Sequence, residues 1–151
     1  MYKSLLSIAV CLMCLPAQAA GIGNIFGALM GKSGALEQGT AIDDVLVKVS
    51  AQMNKTLPMA IDKDTRLDRV TAVPGQHFIY HYTLASMTNS EVSADDFHRL
   101  AKPELKNRLC TSNEMKNFLK NGVTISYLYR GKDGQPIGGA KFAPSECGYR
   151  S

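Results

Sequence analysis

LCTSNEMKNFLKNGVTISYLYRGKDGQPIGGAKFAPSECGY, residues 109–149, holds a short helical pattern and a hairpin pattern between two cysteines, Cys110 and Cys147. The chemistry of that pair decides the compartment and most of the fold. A zinc site needs two further ligands near the thiols, and no histidine lies between or beside them. A cysteine nucleophile requires the pair to be reduced. The remaining reading is a covalent staple, which depends on where the chain resides.

Residues 1–20, MYKSLLSIAVCLMCLPAQAA, place Lys3 before an apolar run from Leu5 to Leu15, followed by Pro16 and the small-x-small triplet Ala17-Gln18-Ala19. This is the three-part layout of a secretory signal peptide, with a run too short to span a bilayer. Residues 1–19 are therefore expected to be cleaved, and Cys11 and Cys14 leave with them. The acylated cysteine of a bacterial lipoprotein follows a small residue, whereas Val10 and Met13 precede these two. Soluble export to the periplasm is the expectation. Two cysteines then remain in a chain bound for an oxidising space, so Cys110 and Cys147 are expected to form a disulfide. It closes a loop of about 37 residues, for which chain entropy gives about 4 kcal/mol of the 5–15 kcal/mol typical of a domain.

The mature chain of roughly 130 residues suits one domain with one core. The formal net charge of +4 falls to about +3 without Lys3, spread along the chain with no basic block and no tryptophan. That distribution excludes a nucleic-acid footprint.

Residues 20–39, AGIGNIFGALMGKSGALEQG, form a glycine-rich leader, flexible or a short amphipathic helix. Ile22, Ile25, Phe26, Leu29 and Met30 fall at helical spacing, but four glycines from Gly21 to Gly31 each cost up to about 1 kcal/mol inside a helix. Such a helix needs a partner or weak peripheral contact with a membrane. Residues 40–151 are expected to be a single α+β domain. Thr40 is placed to cap a helix, with Asp43 at the capping-box position and Ile42, Val45, Leu46, Val49 and Met53 on one face. DTRLDRVTAVPGQHFIYHYTL, residues 64–84, then reads as a hairpin turning at Pro74-Gly75, with Phe78, Tyr80, Tyr82 and Leu84 on its core face. Ser93 caps a helix through residues 94–110, in which Pro103 is expected to begin a second piece. Ser112 caps another that Asn121-Gly122 stops, and a hairpin turning at Asp133-Gly134 follows. Helix, hairpin, helices, hairpin predicts an α+β fold: an antiparallel sheet of about four strands, packed on one face by helices and pinned by one disulfide.

Candidates for chemistry are few. His77 and His81 lie four apart on a strand, about 13 Å, too far to share one ion. DKDTRLD, residues 62–68, lacks the glycine and closing glutamate of a calcium loop and reads as a charged bend in which Arg66 pairs with Asp62 or Asp68. No nucleophile elbow, phosphate loop or zinc-protease helix occurs. No cofactor, no metal and no catalytic centre is expected. Met59, Met87, the tyrosines and the stripe of residues 22–30 remain unassigned; such surfaces bind peptides or helices, and they also serve as core filler.

NKTLPM (residues 54–59) after a helix, FHRLAKPELKNRLC (97–110), MKNFLKNGVTISY (115–127), a polar turn and SECGY (145–149) together resemble the small α+β pilotins of type II secretion systems in vibrios and enteric bacteria. The resemblance covers residues 54–148. It implies a groove that accepts a helix from the end of an outer-membrane secretin subunit, with an envelope protein or peptide as partner. Pilotins of this kind are lipoproteins, a point on which this chain departs from them. The expected function is that of a non-enzymatic periplasmic binding protein. A periplasmic inhibitor or immunity protein and a secreted effector are the alternatives.

Overall fold

The computed structural model describes residues 41–150. The expected signal peptide, the leader with Ile22, Ile25, Phe26, Leu29 and Met30, and the expected cap at Thr40 lie outside the described residues. Helix α1 (Ile42–Asn54) buries Ile42, Val45, Leu46, Val49 and Met53, the stripe that its periodicity predicts. Its N-cap is Ala41, which offers no side-chain bond. The two Asp43 carboxylate oxygens instead accept the backbone N–H groups of Gly75 at 3.0 Å and Gln76 at 2.7 Å. Both residues have positive φ, 90° and 58°. Successive left-handed residues aim their amides to one side, where an anion fits, and the strain at Gln76 costs roughly 1–2 kcal/mol. The carbonyl of Gln76 in turn accepts the amide of Thr124 at 2.8 Å. One helix thereby holds a hairpin turn that holds the start of a later strand.

The sheet has five strands in the order of the chain: β1 (Met59–Ala60), β2 (Thr65–Val73), β3 (His77–Leu84), β4 (Thr124–Gly131) and β5 (Pro136–Phe142). Both expected hairpins are present, β2 with β3 and β4 with β5. The expectation of about four antiparallel strands is corrected on two counts. Strand β1, two residues long, is too short to show a period and adds an antiparallel edge on β2. Strands β3 and β4 run parallel, His77 facing Thr124 and Leu84 facing Gly131. The cause is the connection: α2 (Ala94–Thr111) and α3 (Lys116–Lys120) carry the chain back over one face, and a helical crossover returns it parallel.

Helix α2 begins as expected, the Ser93 hydroxyl accepting the Asp96 amide at 3.1 Å. No second piece begins at Pro103; α2 runs through it unbroken. The ring removes only the bond to the Arg99 carbonyl, and both residues lie on the exposed side, where water can replace it. The Ser112 hydroxyl accepts the Met115 amide at 3.3 Å, and α3 stops at Gly122 with φ +78°.

The three helices of the described residues cover one sheet face. Helix α1 lies over β2, and α2 over β5. Phe78, Phe118, Phe142, Leu46, Leu109 and Ile125 are fully buried between them, with Phe78 and Phe118 rings 5.5 Å apart. A 3-10 turn (Pro144–Cys147) after β5 then brings Cys147 to the last turn of α2. The Cys110–Cys147 disulfide joins them at a Cα separation of 5.2 Å.

Two stability predictions follow from this geometry. Replacing both cysteines by alanine should lower unfolding stability by about 4 kcal/mol, read as an earlier urea midpoint. Asp43→Ala should cost about 1 kcal/mol, and Asp43→Asn should recover little of it, because one amide oxygen cannot accept from both N–H groups with a full charge.

Candidate functional site

Two Tyr-x-Tyr segments, Tyr80-His81-Tyr82 and Tyr127-Leu128-Tyr129, occupy the central parallel pair of strands. The register sets Tyr80 beside Tyr127 and Tyr82 beside Tyr129, on the same face as Leu67 and Val70 of β2, beneath the helices. Ring centroids are 5.5 Å apart for Tyr80 and Tyr127 and 5.0 Å for Tyr82 and Tyr129, both stacked. Tyr80 is buried, its hydroxyl donating to the Met115 sulfur at 3.7 Å. Tyr82, Tyr127 and Tyr129 are half-buried. Among the described residues their hydroxyls bond no protein atom and no buried polar side-chain atom lacks a partner, so none of the three hydroxyls is sealed in the core.

Why the tyrosines are not covered follows from where the helices sit. Strands β2 and β5 are three spacings apart, about 14 Å, whereas helices in direct contact lie about 8–10 Å apart. By those spacings α1 and α2 do not meet over β3 and β4, and Tyr82, Tyr127 and Tyr129 stay partly exposed in the furrow between them. Met115 and Phe118 close one end against Phe78 and Tyr80. The other end is bounded by α2, where Phe97 packs on Tyr129 at 5.0 Å. Phe97 fits because residue 138 is glycine: a Cβ there would come within 2.7 Å of its ring. Leu57 and Leu105 are partly buried along the sides. Arg108 and Asp62 act electrostatically on Tyr129.

Burial, reinforced by the neighbouring phenols, holds Tyr82 and Tyr127 well above the ordinary tyrosine range. Burial pushes Tyr129 up to about 12, with the Arg108 charge opposing the rise. Three neutral hydroxyls on an aromatic floor can bury apolar groups and also donate or accept hydrogen bonds.

The residues that the sequence singles out lie elsewhere. Met59 is 47% exposed on β1 opposite Leu67, and Met87 is 42% exposed after β3, its carbonyl accepting the Lys132 amide at 2.8 Å. His77 and His81 lie on the face that no described helix covers, bonded to the Ser126 hydroxyl at 2.7 Å and the Thr71 hydroxyl at 3.0 Å. Both are held below the ordinary histidine value, first by burial and then by nearby cations. Asp62 accepts the amides of Asp64 and Thr65, each at 2.8 Å, as a bend does, and Arg66 pairs with Asp68 at 2.6 Å. Among the described residues no cluster of three or more histidine, cysteine or acidic residues could hold a metal ion. The resemblance implied a groove without placing it; the repeated Tyr-x-Tyr is the sequence signal that marks these strands.

Residues 40–137 match the family model described as Domain of unknown function (DUF8479). The chain belongs to this family. No curated protein matches the DUF8479 chain in sequence. Three solved structures share its fold. A candidate secreted protein of Pseudomonas aeruginosa is 20% identical with a TM-score of 0.60, over 70% of this chain and 92% of that one. The type II secretion system pilotin AspS of Vibrio cholerae is 13% identical with a TM-score of 0.54, over 70% and 92%. EpsS, the type 2 secretion system pilotin of Vibrio vulnificus, is 13% identical with a TM-score of 0.53, over 72% and 94%. The expected resemblance to pilotins thus holds at the level of the fold.

The buried titrating groups predict a pH profile. Unfolding releases Tyr82, Tyr127 and Tyr129 to ionise near the ordinary value of 10.0, so the unfolded state binds fewer protons above it and stability falls as pH rises. His77 and His81 titrate below 6.5 in the fold, so the unfolded state binds more protons as pH drops through 6.5 and stability falls again. Urea unfolding across pH should show a maximum between about 7 and 10. A flat profile from weakly acidic to strongly alkaline pH contradicts the assigned burial.

Proposed function

We propose that this protein is exported to the periplasm and there binds a helical segment of an envelope protein in the tyrosine furrow, in the manner of a pilotin toward a secretin subunit. In this reading residues 1–19 are the signal peptide, residues 20–39 a leader, and the rest one binding domain. The observation that carries it is the furrow itself: an aromatic floor with free hydroxyls, left open between two helices in a fold shared with two pilotins. An opening roughly 4–6 Å wider than a helix contact admits side chains but no whole helix. A partner helix therefore lies along the furrow and inserts residues spaced three and four apart. Met59, exposed on the edge strand β1, and residues Ile22 to Met30 are further apolar contacts in this proposal. The latter also touch a membrane surface weakly.

An enzymatic reading finds less support. The Ser126 and His77 pair has the distance of a nucleophile and its base, but Ser126 is buried. The charge acting on His77 is Lys141, which disfavours the imidazolium that such catalysis needs.

Calorimetric titration of the processed full chain with a synthetic C-terminal helix of the secretin from the same genome should show binding. Tyr82→Ala and Tyr129→Ala should each weaken it at least about tenfold, the scale of an aromatic anchor, while Leu128→Ala on the opposite face leaves it unchanged. Absence of binding to the helix, with tight capture of a folded hydrolase, would replace this reading by the inhibitor one. Growth with a palmitate analogue should leave the mature chain unlabelled, and incorporation would restore a lipid-anchored pilotin.

A further inference from the structure

No helix among the described residues covers the sheet face opposite the furrow, and its side chains are of a different kind. Strict alternation along β2 would turn Arg69 toward the helices. A β-bulge between Leu67 and Arg69 resets the register, so that Arg66 faces Thr83 and Arg69 faces His81, both on the open side. Arg130 of β4 lies beside Thr83 on the same side. Lys132, in the β4–β5 turn, completes the rim. Together they line a cleft of about 270 Å³.

Four cations meet one carboxylate there, that of Asp68, and both of its oxygens are engaged. One accepts from Arg66 Nε at 2.6 Å and the other from the Thr83 hydroxyl at 2.6 Å. Arg69 and Arg130 have no carboxylate within ion-pair distance among the described residues, and Lys132 makes only a 3.4 Å bond to the Ser86 carbonyl. The single acid is thus spent on positioning, and two guanidinium groups flank His81 with their forks unused. Planar forks of this kind match tetrahedral oxyanions in geometry as well as charge.

We infer that this cleft binds a phosphate group, held between Arg69 and Arg130 above His81 with Lys132 at the rim. The site is independent of the furrow, lying on the other face of the sheet. A free phosphate and a phospholipid headgroup present the same chemistry. His81 offers a local reporter: the groups acting on it are Arg69 and Asp68 from β2 and Arg130 from β4, and a bound dianion opposes the two arginines that depress its proton affinity.

The test is an NMR titration of the full mature chain with inorganic phosphate at low salt, alongside sedimentation with phosphatidylcholine vesicles with and without phosphatidylglycerol. Phosphate should shift the Arg69, His81 and Thr83 resonances and raise the His81 titration midpoint. Affinity should fall steeply between about 0.01 and 0.15 M salt, because the site is open to screening. The double variant Arg69→Gln with Arg130→Gln should weaken binding about tenfold or more, and Arg69→Lys with Arg130→Lys, which keeps charge and loses the forks, should fall between. Lys102→Gln with Lys106→Gln on α2, an equal change of net charge, should leave it nearly intact. Binding to phosphate alone assigns a soluble ligand, and vesicle binding abolished by the glutamine pair assigns a headgroup. No shift at His81 with phosphate together with no vesicle binding that the glutamine pair abolishes, or equal loss in the α2 control, overturns the inference.

Discussion

The bond between Cys110 and Cys147 joins the last turn of the crossover helix to the turn that follows the final strand, and the two faces of the molecule depend on it. Helix α2 has a modest apolar face; Phe97 and Leu109 are its buried residues. Packing alone would hold eighteen residues weakly. The disulfide fixes one end and Phe97, seated on Gly138, fixes the other. Both attachments are to β5 or the segment after it, so α2 stays over the sheet's edge. Were it free to slide toward α1, the aromatic floor would be covered.

Periodicity made most of the elements legible. The α1 stripe, the alternation from His77 to Leu84, the Ser93 cap and the Asp133-Gly134 turn each depend on neighbours in sequence, and each appears in the structure. What was not legible depends on residues far apart. The parallel pairing of β3 and β4 is a property of the path between them. Asp43 sits where a capping box would use it, yet serves a turn 32 residues away, because two left-handed amides attract its charge more strongly than one helical amide. The bulge at Asp68 leaves no mark in a run that reads as a plain strand, and the furrow needs the spacing of two helices that no local pattern encodes.

Asp68 shows how a single residue sorts chemistry between faces. With the bulge, Leu67 and Val70 both turn to the core although three positions apart, and Arg66 and Arg69 both turn away. Without it, one arginine would enter the apolar layer, at a desolvation cost of several kcal/mol for an unpaired charge. The same carboxylate then bonds Arg66 and Thr83 and stabilises the strand that carries it.

The two faces cannot serve one ligand. An aromatic floor gains from apolar groups and from dipoles that match its hydroxyls, whereas a phenol held neutral by burial repays little to a highly charged one. The cationic cleft gains from charge and has little apolar surface to cover beyond Leu128, 43% exposed at its border. Phenylalanine in place of Tyr82, Tyr127 and Tyr129 would pack equally well on the core beneath. Three tyrosines instead, with hydroxyls that bond nothing among the described residues, keep polar groups at the open edge of that floor. That choice is wasted in a floor meant to be buried by the chain itself and useful in one that a partner covers.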